Sequence, residues 1–214
     1  MTPAEYERAR RLLARRDPVL GAAIKRIGPC RMAERQQPHH LAALVRAIAG
    51  QQLSARAAAT IFARVEALMP GGAISDAAHV AVIEDQMLRA AGLSAQKLGY
   101  VRDLCARLAD GRLRLDELDT LDDDQVIERL TSVKGLGRWT AEMFLMFRLH
   151  RPDVLPANDL GIVTAVQRLY RLRKRPDAKR LRKLGERWRP YRSVASWYLW
   201  QTLRAENQNR EPRT

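Results

Sequence analysis

A chain of 214 residues can bury one sizeable core or divide into two lobes that share an interface, but it is too short for three independent domains. Its 38 Lys and Arg against 24 Asp and Glu leave a formal net charge of +14, which points to polyanionic partners and to nucleic acid first. The longest apolar runs, such as HVAVI (79–83), fall far short of the roughly 20 residues a bilayer span needs, so no membrane partner is expected.

From the N-terminus, MTPAEYERARRLLARRDPVL (1–20) is charged throughout and lacks the apolar centre of a secretory signal. A cytoplasmic, nucleoid-associated protein is expected. Apolar residues then recur at helical spacing: Leu41, Leu44, Val45 and Ile48; Ala58, Ile61, Phe62, Val65 and Leu68; Val101, Leu104, Cys105 and Leu108. Breakers interrupt the pattern at MPGG (69–72), AGLS (91–94), KGLG (134–137) and LPAND (155–159), while Ser54, Ser94 and Asp159 stand where helix N-caps belong. No stretch alternates with a strand period. The expected fold class is all-α, with nine or ten helices.

Charge is uneven along the chain: residues 115–129 are acidic and 168–192 densely basic. The basic run is read equally as a solvated helical face or as a nucleic-acid surface, and the aromatic residues interleaved in it favour the second. Cys30 and Cys105 are too few for a thiolate cluster and are read as small buried apolar residues. His39, His40, His79 and His150 lack the spacing of a helical zinc site, so no catalytic metal is expected.

VKGLGRW (133–139) places Gly135 and Gly137 between two helical runs. Glycines there permit left-handed backbone angles and close approach of another backbone. Free N–H groups at the start of the second helix then suit an anion such as a phosphate. An ordinary helix stop followed by a new helix would look the same.

LTSVKGLGRWTAEMF (130–144) followed by Asp159 in LPANDLGI resembles the helix-hairpin-helix, Gly-Pro-Asp superfamily of base-excision DNA glycosylases. VRAIAGQQLSARAA (45–58) and RWRPYRSVASWYLW (187–200) are similar to its 3-methyladenine DNA glycosylase II branch. One element departs from the pattern, since the Gly-Pro-Asp segment reads LPAND, with the proline displaced from the aspartate.

The resemblance implies two helical lobes with an active-site cleft between them. Residues 39–151 would carry the plug loop and hairpin, and 1–38 with 152–214 the catalytic aspartate and the basic surface. Asp159 is the expected catalytic carboxylate, stabilising positive charge on the deoxyribose and orienting water; on spacing alone it reads first as a helix N-cap, and both roles can hold together. Trp139 holds the place where relatives that also cut the backbone carry a Schiff-base lysine, which implies a glycosylase without lyase activity. Trp139, Met143 and Trp200 would line the base pocket, while Trp188 and Trp197 read more readily as core.

Gln52 would fill the space left by an everted nucleotide, with Leu53 beside it and Ser54 probing the opposite strand; a plain helix–loop–helix turn capped by Ser54 is the alternative. Lys134, Gly135, Gly137 and Arg138 would meet phosphate. Carbonyls of Thr131, Val133 and Leu136 would hold a monovalent cation, potassium or sodium, and no iron–sulfur cluster is expected. The implied partner of this monomer is damaged double-stranded DNA, and the implied substrates are alkylated purines such as 3-methyladenine and 7-methylguanine. A non-catalytic binder of distorted DNA and a glycosylase for deaminated bases such as hypoxanthine are the competing readings.

Overall fold

Every run of helically spaced apolar residues forms a helix in the computed structural model, which describes residues 1–34 and 39–208. Twelve α-helices and three short 3₁₀ turns occur among the described residues, and no strand. The chain is all-α. The count exceeds expectation because α5 (Ala77–Val82) and α6 (Asp85–Ala90) span six residues each and bury only Val80 and Leu88, too little for a helical period to show in sequence. None of these helices is long and apolar enough to cross a membrane.

The chain divides into two compact units, residues 1–36 with 145–214 and residues 37–144. The first division falls within residues 35–38, which, like 209–214, lie outside the described residues. The second lies between Phe144 and Leu145, inside a helix and upstream of the 151/152 boundary expected from sequence. Breakers beyond residue 150 mark the loop after that helix, whereas the division falls within the helix itself, where no breaker signals it.

The unit of residues 37–144 contains α3 (His40–Gly50), α4 (Ala55–Glu66), α5, α6, α7 (Ala95–Ala109), α8 (Asp123–Thr131) and most of α9 (Arg138–Phe147). Its centre is α7, which packs on α3, α5 and α6 through Leu98, Val101, Leu104 and Cys105. Ser54 caps α4 by accepting from the Ala57 N–H, and Ser94 caps α7 from the Lys97 N–H, each bond worth about 1 kcal/mol to its helix.

The other unit contains α1 (Pro3–Arg16), α2 (Pro18–Ile27), α10 (Leu160–Leu169), α11 (Ala178–Gly185) and α12 (Arg192–Gln208). Here α12 packs on α1, α2 and α10. A carboxylate sits in this core. Asp17, 1% exposed, caps α2 through the Val19 and Leu20 N–H groups and accepts from the Tyr170 hydroxyl at 2.5 Å and the Trp188 indole at 2.9 Å. Four donors on one buried carboxylate offset its desolvation. Trp188 is core, as expected; Trp197 is only half-buried, its ring edge-on to Tyr198 at 4.9 Å. Cys105 is buried and Cys30 half-buried, and burial pushes both thiols up to about 11.

Candidate active site

Asp159 is delivered by a turn. Its N–H donates to the Pro156 carbonyl at 3.0 Å, so the displaced proline of LPAND, itself buried, opens the turn that ends on the aspartate. Asp159 then caps α10: its Oδ1 accepts from the Ile162 N–H at 2.7 Å, and its carbonyl takes the Val163 N–H at 2.9 Å. Cap and catalytic candidate are therefore one group, held at the positive end of a helix, where a negative charge is favoured.

A second donor reaches the same oxygen. The Trp200 indole Nε1–H donates to Asp159 Oδ1 at 2.9 Å, and the Trp200 ring stacks on Phe147 with centroids 5.9 Å apart. Gly161 makes room for this: a Cβ there would lie 3.0 Å from Asp159 Oδ1 and 3.0 Å from Trp200 Cδ1. Trp200 was expected as a pocket wall, and its grip on the carboxylate has no sequence signal, because the partners are 41 positions apart. Arg192, eight positions before Trp200 on the same helix, clamps Asp153 through Oδ1 at 2.8 Å and Oδ2 at 3.0 Å.

The unit of residues 37–144 carries the loop and the hairpin. After Gly50 ends α3, Gln52 takes φ +58, a left-handed conformation costing an ordinary residue roughly 1 kcal/mol. Gln52, Leu53 and Ser54 are all exposed, and Leu53 at 41% is unusually open for leucine. Gln51 turns the other way and donates from Nε2 to the Gly135 carbonyl at 2.7 Å, tying the loop to the hairpin. Sequence register singles out Gln52 and passes over Gln51; two adjacent glutamines give no local cue to which one faces inward.

In the hairpin Val133 and Leu136 are buried, while Lys134, Gly137 and Arg138 are exposed. The Lys134 N–H donates to Asp103 Oδ2 at 2.9 Å, so its backbone is engaged by α7 and only the ammonium side chain remains to meet an outside anion. Burial raises the Asp103 carboxyl, but the Lys134 N–H and the Arg107 guanidinium outweigh it and hold the group below its ordinary value. Gly135 has φ +79 and rests on the Tyr100 ring. Gly137 is not left-handed, contrary to expectation; its carbonyl accepts the Ala141 N–H and so begins α9, and a Cβ there would meet nothing within 4 Å. The hairpin needs one left-handed glycine for its turn, and the second leaves its outer surface open.

Arg138 pairs with Glu142 at 3.2 Å. Trp139, in the first turn of α9, is 52% exposed, and Met143 one turn later is half-buried. Within this unit the structure thus brings together the loop of residues 51–54 and the hairpin; within the other it joins Asp159 to Trp200.

The chain is similar to known proteins in sequence and in fold. Residues 45–190 match the family model described as HhH-GPD superfamily base excision DNA repair protein. The chain is 37% identical over 175 residues to DNA-3-methyladenine glycosylase 1 of Schizosaccharomyces pombe, covering 81% of this chain and 76% of that protein. Among solved structures it is similar to a 3-methyladenine DNA glycosylase of Schizosaccharomyces pombe in complex with abasic DNA (TM-score 0.82, 33% identity, 92% of this chain and 97% of that one). It is also similar to a DNA-3-methyladenine glycosidase from Bacillus halodurans (TM-score 0.79, 38% identity, 92% and 89%).

Proposed function

The chain belongs to the HhH-GPD superfamily of base excision DNA repair proteins, and from that premise we propose that it is a monofunctional DNA glycosylase that hydrolyses the N-glycosidic bond of alkylated purines in duplex DNA. The observation that carries this reading is the Asp159 carboxylate, fixed at the start of α10 by the Ile162 N–H and the Trp200 indole. As the glycosidic bond lengthens, positive charge grows on the deoxyribose, and a pre-oriented anion stabilises that charge and orients the attacking water. Two donors on Oδ1 keep the carboxylate from turning away, so little reorganisation is needed when the charge develops.

Eversion of the base leaves a gap in the stack, which Gln52 and Leu53 fill while Ser54 probes the opposite strand. The strained backbone at Gln52 supports this assignment, because such strain persists where the surroundings impose it. The hairpin holds phosphate through the Lys134 and Arg138 side chains and through the open backbone at Gly137. Trp139 offers an exposed electron-rich face to a base made cationic by alkylation, with Met143 one turn further along α9, and Trp200 contributes within its own unit by holding Asp159. Since tryptophan stands at residue 139, no amine is present there to form a Schiff base, and strand cleavage is not part of the reaction.

The hairpin carbonyls of Thr131, Val133 and Leu136 suit potassium or sodium: they are neutral oxygens, and Val133, which accepts the Leu136 N–H at 3.1 Å, has a second lone pair to offer. Such an ion would add fixed positive charge beside a phosphate; no bond-breaking step runs through it. We assign the protein to the cytoplasm, at the nucleoid, acting as a monomer.

Release of bases from methylated genomic DNA tests the proposal. The native protein is expected to liberate 3-methyladenine and 7-methylguanine, and Asp159→Asn to retain duplex binding while excision falls by about 100-fold or more. Binding without excision by the native protein would replace the enzyme with a non-catalytic binder, and release of hypoxanthine alone would change the substrate. A protein–DNA adduct trapped under borohydride would contradict the monofunctional assignment.

A further inference from the structure

Half of the molecule's net charge of +14 is carried by residues 171–183, RLRKRPDAKRLRK, where eight cations face one carboxylate. All eight, Arg171, Arg173, Lys174, Arg175, Lys179, Arg180, Arg182 and Lys183, are exposed, and among the described residues none forms an ion pair. The arginines on either side are paired: Arg168 with Glu206 at 2.7 Å, Arg189 with Glu186 at 2.9 Å and Asp153 at 2.6 Å, Arg192 with Asp153 at 2.8 Å. Asp177 caps α11 by accepting from the Arg180 N–H at 2.7 Å.

The helix dipole favours only Arg182 and Lys183, in the last turn of α11. Lys179 and Arg180 stand in the first turn of α11, where the helix dipole disfavours cations, and Lys179 and Lys183 repel one another at i,i+4. The segment is not loosely attached. Leu181 is fully buried, and a Cβ on Gly185 would lie 2.6 Å from Leu155 Cδ2, so the helix packs directly on the loop that ends in Asp159.

We propose that residues 171–183 form a second DNA-binding surface, separate from the hairpin, that grips the phosphates of intact duplex without regard to lesion or sequence. The inference rests on the glycosylase reading only for the identity of its partner. The segment contains no aromatic residue, so it offers no platform for stacking the bases of a single strand. The buried apolar side of α11 leaves nothing to insert into a lipid surface. Closely spaced cations on a fixed helix match the regular charge of a duplex backbone.

The test uses the full chain with Lys179→Gln, Arg180→Gln, Arg182→Gln and Lys183→Gln combined, and titrates undamaged duplex across a range of salt by fluorescence anisotropy. Each phosphate contact contributes about 0.9 to the slope of log K against log salt, so the slope should fall by up to about 3.6, and affinity at moderate salt by at least roughly 10-fold. A matched control, Arg8→Gln, Arg15→Gln, Lys25→Gln and Arg26→Gln, removes the same charge from exposed positions on α1 and α2 and should leave the slope unchanged. Should the α11 variant fail to fold by circular dichroism, Arg173→Gln, Lys174→Gln and Arg175→Gln in the preceding loop carries the same expectation. An unchanged slope, an equal fall in the control, or a loss confined to phosphatidylserine vesicles overturns the proposal. Excision by the native protein is scored separately, so a protein that excises nothing but shows the expected change of slope sinks the glycosylase reading and not this one.

Discussion

A methyl group added at Gly135 would lie 2.1 Å from Cδ2 of Tyr100, on a backbone whose φ of +79 already disfavours any side chain; at Gly137 the same group would meet nothing within 4 Å. The two positions therefore separate folding from binding. Gly135→Ala combines left-handed strain with overpacking, each about 1–2 kcal/mol, and should lower the melting temperature by several degrees. Gly137→Ala should leave the melting temperature within about a degree of the native value and weaken duplex binding, because the methyl group stands where a phosphate must approach. Melting curves and anisotropy on both variants check this. The expectation fails if Gly137→Ala is the less stable of the two, or if it binds duplex as the native protein does.

The hairpin as an element is supported from outside itself, and Asp103 on α7 is the support whose strength depends on pH. Its carboxylate accepts the Lys134 N–H and pairs with Arg107 at 2.8 Å, and these partners hold its folded-state value below the roughly 3.9 of an unfolded aspartate. A depressed carboxyl stabilises the fold above its unfolded value, and that contribution disappears as pH falls through the folded one. Asp103→Asn keeps an oxygen for Lys134 but removes the charge, at a cost of about 1 kcal/mol. The melting-temperature gap between native and variant should be constant from about pH 5 to pH 8 and close below about pH 4; a gap that widens in acid would refute it. None of this support can be read locally. The Gly135 turn and the Ser54, Ser94 and Asp159 caps are legible because cause and effect lie within a few residues. Gln51 reaching Gly135, Tyr100 under the turn and Trp200 on Asp159 join residues far apart in the chain, and tertiary packing alone decides them. Helices α5 and α6 escaped the periodicity for the opposite reason, being too short to complete a pattern.

At the scale of the whole molecule, a net charge of +14 sets self-repulsion against the surface ion pairs that salt also weakens. Some of the pairs are i,i+3 or i,i+4, as between Arg10 or Arg11 and Glu7, others join distant segments, as between Arg168 and Glu206, and exposed pairs contribute about 0–1 kcal/mol each. Repulsion acts over the screening length, about 30 Å at 0.01 M salt but about 8 Å at 0.15 M, so at low salt distant cations still repel one another. With half of the surplus confined to residues 171–183, repulsion should prevail at low ionic strength. The melting temperature of the native protein should then rise by a few degrees between about 0.01 M and about 0.15 M sodium chloride, at about 2–4 °C per kcal/mol for a chain of this size. The fourfold glutamine variant of α11 should start higher and rise less. Scanning calorimetry of both proteins across that range decides the matter: a melting temperature that falls with salt would mean that the ion pairs outweigh the repulsion, and an equal rise in both would mean that the charge of α11 is too well solvated to strain the fold.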